Sequence, residues 1–207
     1  MRESRWTEAL LRVVALLTYG LFVTNIVRAW WLDPGRITLL LLVVTESLTL
    51  LLMLVARRAV VRDMSPMATV ATVYACTFVV FFSYRDTMRF VPEWIGAGLQ
   101  FAGLVWQLAS KATLGRSFGL LPAARGLVTG GPYRAVRHPI YLGYLIAHCG
   151  FLLTNFSWRN LLVLAALYLA QAVRMLREEA VLRAGDDGAA YDAYCRTTRW
   201  RIVPFVF

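Results

Sequence analysis

The stretch GGPYRAVRHPIYLG, residues 130–143, decides how this chain is organised. It is a polar interruption between long apolar segments, and it concentrates arginine, histidine and tyrosine side chains that can take part in chemistry. Its glycines and its first proline oppose a continuing helix, whereas His138 followed by Pro139 is typical of a helix start, because proline is tolerated in the first turn. We therefore expect a loop that leads into a new helix at Pro139, with candidate functional residues around that point.

Outside this stretch the composition is that of a membrane protein. The 207 residues are 59% hydrophobic and 16% charged, with a mean hydropathy of +0.58, which is too apolar for an ordinary soluble domain of this length. Four apolar runs approach the roughly 20 residues needed to cross the hydrocarbon core, and two shorter runs begin near the end of the stretch. The six candidate spans are Ala9–Val27, Ile37–Ala56, Met67–Phe82, Ile95–Ala109, Ile140–Leu153 and Leu161–Val173.

The last two segments are separated by the turn-like residues 154–158 and predict a helical hairpin, either spanning or partly re-entrant. No linker, repeat or low-complexity tract divides the chain. We expect one all-α domain over residues 1–207, a polytopic integral membrane bundle with about five to six membrane helices. Residues 1–110 are expected to form the N-terminal membrane helices, and residues 111–207 the loop, the hairpin and a cytoplasmic tail.

The basic residues predict the orientation of the chain. The formal net charge is +10, and most arginines fall on one side of the predicted spans, which by the positive-inside rule places both termini and the stretch at 130–143 in the cytoplasm. The same charge favours contact with anionic lipid headgroups. No fold signature of a nucleic-acid-binding protein accompanies it, so we expect no nucleic-acid partner. The excess of arginine over lysine is typical of a GC-rich bacterial genome and favours the bacterial inner membrane.

The N-terminal apolar run and the cysteines give no indication of a function. The N-terminal apolar run is long for a secretory signal and lacks a small-residue cleavage pattern, so we expect no cleaved signal. The three cysteines, Cys76, Cys149 and Cys195, have neither the spacing of metal ligands nor an evident pairing. We expect no metal site.

Polar residues within the predicted spans are costly in lipid and mark either function or helix packing. Glu46 fits an intramembrane functional carboxylate and equally a hydrogen-bonded residue that holds helices together. Gln107 and Lys111, one turn apart, are placed either to reach a ligand or to serve interhelical hydrogen bonding and snorkelling. Gly98 and Ala102 form a small-residue face on which we expect another helix to pack.

The helix start after the loop is a candidate anion receptor. The first N–H groups of a helix lack intrahelical partners and lie at the positive end of its dipole. Arg134, Arg137 and His138 place cationic side chains beside them, a combination that suits a carboxylate or a phosphate. Tyr141 and Gly143 follow in the first turns, offering a ring for stacking or hydrogen bonding and room for close approach.

The pattern Gly-Pro-Tyr-x-x-Val-Arg-His-Pro-x-Tyr-x-Gly at residues 131–143 resembles the signature of the isoprenylcysteine carboxyl methyltransferase and phospholipid methyltransferase superfamily of integral membrane enzymes. The second part of that signature follows at the expected distance, as Arg177-Glu178-Glu179-x-x-Leu182, then Tyr191-x-x-Tyr194, a basic stretch and Pro204. The resemblance covers the second half of the chain. The first four apolar segments resemble the superfamily only in hydropathy and number.

This resemblance implies S-adenosylmethionine-dependent methyl transfer to a lipophilic acceptor. In such families the cofactor is held by the helix start, the preceding loop and the glutamate pair. Cations suit the carboxylate of the cofactor, and carboxylates suit its ammonium and ribose hydroxyls. The cofactor-binding residues that the resemblance implies are Gly131, Tyr133, Val136, Arg137, His138, Tyr141, Leu142, Gly143, Glu178 and Glu179. Gln107, Lys111 and Val128 are further cofactor-binding candidates by their positions, and Arg174, Arg177 and Glu178 are the candidate catalytic residues by their chemistry.

The acceptor stays open at this point, although its delivery from the bilayer makes membrane lipids or a lipidated molecule the expected partners. A carboxylate acceptor, as in an isoprenylcysteine-like molecule, needs a cation such as Arg174 or Arg177 to orient it. An amine or hydroxyl acceptor, as in a lipid headgroup, needs a proton acceptor, for which Glu46, Glu178 and Tyr141 are candidates.

Two alternative functions fit parts of the same pattern. One is an NADPH-dependent membrane reductase of the sterol type, whose C-terminal half resembles this superfamily, although its longer signature is absent here. The other is a non-catalytic, lipid-binding relative that keeps the fold without turnover. The final residues, 199–204, are more basic than expected of the prenylcysteine branch, which favours a different substrate.

Overall fold

The computed structural model describes residues 2–55, 66–114, 127–185 and 187–206, and these ranges are helical without a β-strand. Two short 3₁₀ helices, Phe78–Phe81 and Gly131–Arg134, accompany the α-helices. The expected all-α class is therefore confirmed. The seven α-helices within the described ranges are α1 (Arg2–Leu32), α2 (Ile37–Val55), α3 (Pro66–Thr77), α4 (Glu93–Leu114), α5 (Pro139–Thr154), α6 (Trp158–Ala184) and α7 (Gly188–Thr197).

The helix bounds refine the six predicted segments. The third segment is shorter as an α-helix than expected, because α3 ends at Thr77 and continues as a 3₁₀ helix. The sixth is longer, because α6 carries both the apolar residues 161–173 and the charged residues that follow them. Ala56, the basic connector at 57–65 and most of the loop at 112–126 lie outside the described residues.

Length and composition alone qualify one described helix, Trp158–Ala184, to cross a membrane. Shorter apolar helices cover Ile37–Leu51, Pro66–Phe81 and Pro139–Thr154. The helical hairpin predicted after residue 139 is present as α5 and α6, joined at Asn155 to Ser157.

The apolar core forms where α1, α2, the first 3₁₀ helix, α5 and α6 meet. Phe82 lies against Phe151 of α5, with ring centroids 4.8 Å apart, and both rings are buried. Burial of such aromatic side chains contributes much of the favourable free energy of packing where the helices contact one another and not lipid. The buried members of this core include Phe22, Ile26, Leu39, Leu42, Phe78, Leu164 and Leu167.

The closest helix pair is α4 with α5, which run antiparallel along a seam of glycines. A methyl group added at Gly103 would lie 2.6 Å from the backbone nitrogen of Ala147 and 2.6 Å from the carbonyl oxygen of Gly143. Gly150 is equally close to the backbone of α4. The expected packing face at Gly98 and Ala102 is wrong, because both are exposed and nothing lies within 4 Å of a methyl group at Gly98.

A buried polar network closes the end of the bundle where α2, α4 and α6 begin. The Arg36 guanidinium binds the side chain of Asn155, and its Nη1 donates to the carbonyl of Tyr84. Glu93 accepts from the backbone N–H of Thr38 at 2.8 Å. Buried polar groups need hydrogen-bond partners. This network therefore holds the loops at Tyr84 and Asn155 against the start of α2, and the start of α2 against that of α4.

Replacing Asn160 with alanine is expected to destabilise this end by about 1–3 kcal/mol, the usual cost of leaving buried polar groups unpaired. Its side-chain oxygen accepts from the N–H of Ser83 at 2.7 Å, and its amide donates to the carbonyls of Ser83 and Asn155 at 2.9 and 2.8 Å. Thermal unfolding in detergent measures the effect. Leu162→Ala, an exposed position on the same helix, is the control, and equal destabilisation of both variants would contradict this role.

Candidate active site

The two parts of the sequence signature, residues 131–143 and the segment that begins at Arg177, meet in the fold at the side chain of Glu179. His138, which precedes α5, places its Nε2 atom 3.3 Å from Oε1 of Glu179, although the two residues are 41 positions apart. Arg137 Nη1 lies 3.1 Å from the same oxygen. The start of α5 and the last part of α6 therefore belong to one site.

Glu179 is the centre of a group that we call the Glu179 hub, in which three arginines and one histidine surround its carboxylate: Glu179, Arg137, His138, Arg183 and Arg201. Arg201 reaches both carboxylate oxygens, at 3.1 and 3.2 Å, and Arg183 Nη2 lies 3.5 Å from Oε2. The Glu179 side chain is 0% exposed. It lies beyond the apolar part of α6, and although burial raises its pKa, hydrogen bonds from His138 and Arg201 and the charge of Arg137 outweigh burial and lower that pKa to about 2.

The C-terminal tail completes the hub through its backbone. The N–H groups of Arg137 and His138 donate to the carbonyls of Trp200 and Arg201, both at 2.8 Å. The hydroxyl of Tyr194 donates to the carbonyl of Tyr133 at 2.7 Å. Two backbone N–H groups just before the helix start are thus bound by the tail and are not available to an anion.

The loop before α5 is shaped by one glycine. Gly131 has φ of +56°, a conformation that side chains other than glycine rarely adopt, and it lies against Thr113 at the end of α4. The following 3₁₀ helix buries Tyr133, and Val136 is fully buried behind it. This packing supports the residues around Arg137 and His138.

A half-buried polar group lies beside the hub, formed by Tyr141, Arg174 and Glu178. The Arg174 guanidinium lies 6.0 Å from the centre of the Tyr141 ring, and its Nη1 donates to the side chain of Gln171 at 3.3 Å. Burial, and after it the negative charge of Glu178, raise the pKa of Tyr133. A guanidinium, a carboxylate and a phenol are therefore present together, and none is fully buried.

These three groups fit the polar parts of S-adenosylmethionine better than the hub does. Arg174 can pair with a carboxylate, and Glu178 can accept from an ammonium or from ribose hydroxyls. Glu179 has both oxygens occupied by protein cations. The donor set near Tyr141 matches the cofactor chemically, and the hub holds that set in position.

The other sequence-predicted residues lie in three places. Gln107 and Gly143 contact each other in the seam between α4 and α5. Lys111 is buried deeper in the bundle, where its Nζ lies 3.2 Å from the hydroxyl of Tyr144. Val128, Leu142 and Arg177 are half-buried around the loop and the helix ends.

Sequence reasoning named the basic tail but not Arg201 as a member of the hub. The sequence contained little indication of this role for Arg201, because the tail contains several arginines and only the fold shows which of them contacts Glu179. The burial of Glu179 had a clearer signal. Leu167, Gln171, Met175 and Glu179 recur every four residues and share the buried face of α6, whereas Glu178 falls beside that face.

The comparisons with known proteins agree with the part of the chain that builds this site. No curated protein matches the chain in sequence. Residues 91–184 match the family model described as phospholipid methyltransferase, and this range contains α4, α5 and α6 with residues 131–143 and Arg177–Leu182 of the signature. The match favours methyl transfer over the reductase alternative. Residues 91–184 therefore form a phospholipid methyltransferase domain of the integral membrane methyltransferase superfamily.

Proposed function

We propose that this protein transfers a methyl group from S-adenosylmethionine to a lipophilic acceptor that arrives from the membrane. The observation that carries this proposal is the contact between His138 and Glu179, which joins the two motifs beside the half-buried group of Tyr141, Arg174 and Glu178. That group offers the charges that the cofactor needs. The methyltransferase family of residues 91–184 supports the reaction type.

The protein's part in this reaction is binding and positioning. When bound, the cofactor supplies a methyl group on a sulfonium, and the sulfur keeps the electron pair as the acceptor takes the methyl. One of Arg174 and Arg177 is proposed to hold the cofactor carboxylate, which leaves the other to contact the acceptor, and Glu178 is proposed to hold the cofactor ammonium or ribose hydroxyls. The Glu179 hub keeps the start of α5 against α6, so that these groups stay aligned.

The outer surface of the helices supports a multi-pass arrangement in a membrane, and the distribution of arginines favours both termini in the cytoplasm. Trp31, Trp94 and Trp158 are exposed at the end of the bundle where Arg36 binds Asn155, as expected of an aromatic belt at an interface. The helix faces between that belt and the hub expose apolar side chains, which suits contact with lipid tails. These include Leu17, Leu21, Val44, Leu51, Val70, Phe101, Val105, Leu162 and Leu169.

A lipid-type acceptor leaves two chemistries for the methylated atom. An isoprenylcysteine-like carboxylate is already a nucleophile and would be oriented by Arg174 or Arg177. A lipid headgroup amine must first lose a proton to a nearby base. The half-buried group alone is compatible with both.

Calorimetry of the detergent-purified protein is expected to show binding of S-adenosylmethionine and of S-adenosylhomocysteine. Glu178→Gln is expected to weaken this binding about tenfold or more, because a charge-assisted hydrogen bond contributes about 1.5–3 kcal/mol. Glu93→Gln removes the same charge at the opposite end of the bundle and is the control. Absence of binding by a folded wild-type protein would refute the proposed function.

A further inference from the structure

The C-terminal tail, residues 198–206 after α7, lies beside the point where the chain passes from charged to apolar helix. The carbonyls of Trp200 and Arg201 accept from the N–H groups of Arg137 and His138, both at 2.8 Å. The apolar helix α5 starts at the next residue. In the proposed membrane arrangement the tail is therefore held at the level of the lipid headgroups.

The end of the tail exposes an apolar surface. Phe205 is 86% exposed, the largest value for a bulky apolar side chain among the described residues, and Val206 is 78% exposed. The Phe205 ring lies against Trp200, with ring centroids 5.0 Å apart, and the N–H of Val206 donates to the carbonyl of Val203 at 3.1 Å. A compact aromatic and aliphatic surface of this kind is unfavourable in water and suits the interfacial region of a bilayer.

Exposed arginines belong to the same end of the molecule. Arg134 ends the 3₁₀ helix before α5, Arg196 lies in the last turn of α7, and Arg199 lies in the tail; all three are exposed. The hydroxyl of Tyr194, in α7, donates to the carbonyl of Tyr133, which places α7 beside that 3₁₀ helix. The three guanidinium groups therefore surround the tail.

Three acidic residues near the tail leave this positive charge in place. Glu179 is enclosed by the hub, and Asp192 Oδ1 lies 3.1 Å from Nε of Arg183. Asp187 is exposed but precedes α7, so it lies about 13 Å along the helix axis from Arg196. The surface around the tail thus combines exposed cations with exposed apolar side chains.

We propose that the tail is a docking surface for the anionic lipids of the bilayer that holds the protein. Phe205 and Val206 insert between the headgroups. Arg134, Arg196 and Arg199 bind the lipid phosphate groups, for which a guanidinium is well suited. The lipids are bound here as a surface and not as methyl acceptors, and the tail lies outside the part of the chain that matches the family.

Docking of the tail is coupled to the hub, because the tail builds part of the hub. Arg201 contacts both carboxylate oxygens of Glu179, and the carbonyls of Trp200 and Arg201 bind the N–H groups of Arg137 and His138. Contact with lipid restricts the tail and so keeps these bonds closed. The negative charge of the membrane surface therefore controls how firmly the start of α5 is held against α6.

Hydrogen–deuterium exchange of the full chain in nanodiscs tests this surface, with phosphatidylcholine alone compared with a mixture of phosphatidylcholine and phosphatidylglycerol. In the mixture the N–H groups of Arg137 and His138 are expected to exchange at least about fivefold more slowly, the effect of about one basic residue at an anionic surface. High salt is expected to remove this difference, because it screens exposed charges. The measurement uses neither cofactor nor acceptor, so its outcome is independent of the proposed methyl transfer.

Two double variants separate the arginines of the tail from the general charge of the protein. Arg196→Gln combined with Arg199→Gln is expected to lose the difference between the two membranes, although the backbone carbonyls of the tail remain. Arg28→Gln combined with Arg85→Gln removes two exposed arginines at the opposite end and is expected to keep the difference. Phe205→Ser is expected to speed exchange in both membranes, because it removes the inserted ring.

Equal exchange of the wild-type protein in the two membranes would overturn the proposal, as would an undiminished difference in the tail double variant. Slower exchange of residues 203–206 without a change at Arg137 and His138 would overturn the coupling to the hub. Thermal unfolding in phosphatidylcholine nanodiscs shows whether each variant is folded. The wild-type protein at low and high salt decides the matter if a variant is not.

Discussion

Glu179→Ala is expected to abolish measurable cofactor binding and to lower the free energy of unfolding by about 3–5 kcal/mol, because removing one partner of a buried ion pair leaves the other charges uncompensated. Arg137 and Arg201 direct positive charge at this carboxylate, and His138 Nε2 lies 3.3 Å from it. Without the carboxylate the two guanidinium groups repel each other, and the start of α5 is expected to separate from α6. Thermal unfolding and calorimetry with S-adenosylmethionine measure the two effects.

Glu178→Ala is the matched comparison, because it removes the neighbouring carboxylate but leaves the hub intact. It is expected to weaken cofactor binding with a change in unfolding free energy below about 0.5 kcal/mol, as for half-exposed positions away from buried networks. Similar stability losses in the two variants would show that Glu179 has no special role in holding α5 against α6.

Gly103→Ala is expected to separate α4 from α5 and to destabilise the protein by about 1–3 kcal/mol or more, the usual range for overpacking. The added methyl group would lie 2.6 Å from two backbone atoms of α5, and backbone cannot move aside as a flexible side chain does. Because α5 also carries Tyr141, the same change is expected to weaken cofactor binding. Unfolding in detergent and calorimetry give both values.

Gly98→Ala on the same helix isolates packing from helix propensity. A methyl group there meets nothing within 4 Å, so the variant should gain about 0.5–1 kcal/mol from the better helix propensity of alanine. Stabilisation by Gly103→Ala to the same extent would mean that the seam is not closely packed.

Much of the fold could be predicted because the relevant signals are local. Apolar runs indicated where helices lie, and the His138-Pro139 pair indicated where α5 begins, as the structure shows. The ends of α6 were less predictable. Its apolar part stops before Arg174, but α6 continues, and its Glu179 pairs with Arg137 just before α5 and with Arg201 of the tail.

The sequence predicted which residues belong to the candidate site, but it predicted only some of the contacts between them. His138 and Glu179 were named together, and they are in contact. The packing face of α4 was predicted at Gly98 instead of Gly103, because small residues at either position satisfy the same spacing rule and only the neighbouring helix distinguishes them.

The all-helical class, the start of α5 and the chemical groups available to the site follow from local sequence features, because composition, apolar segments and proline act over a few neighbouring residues. The folded structure was needed to show which glutamate the arginines enclose, which backbone N–H groups the tail occupies, and that Glu46 faces His148. Those outcomes depend on burial and on distances between residues far apart in the chain, and burial sets the cost of every unpaired charge.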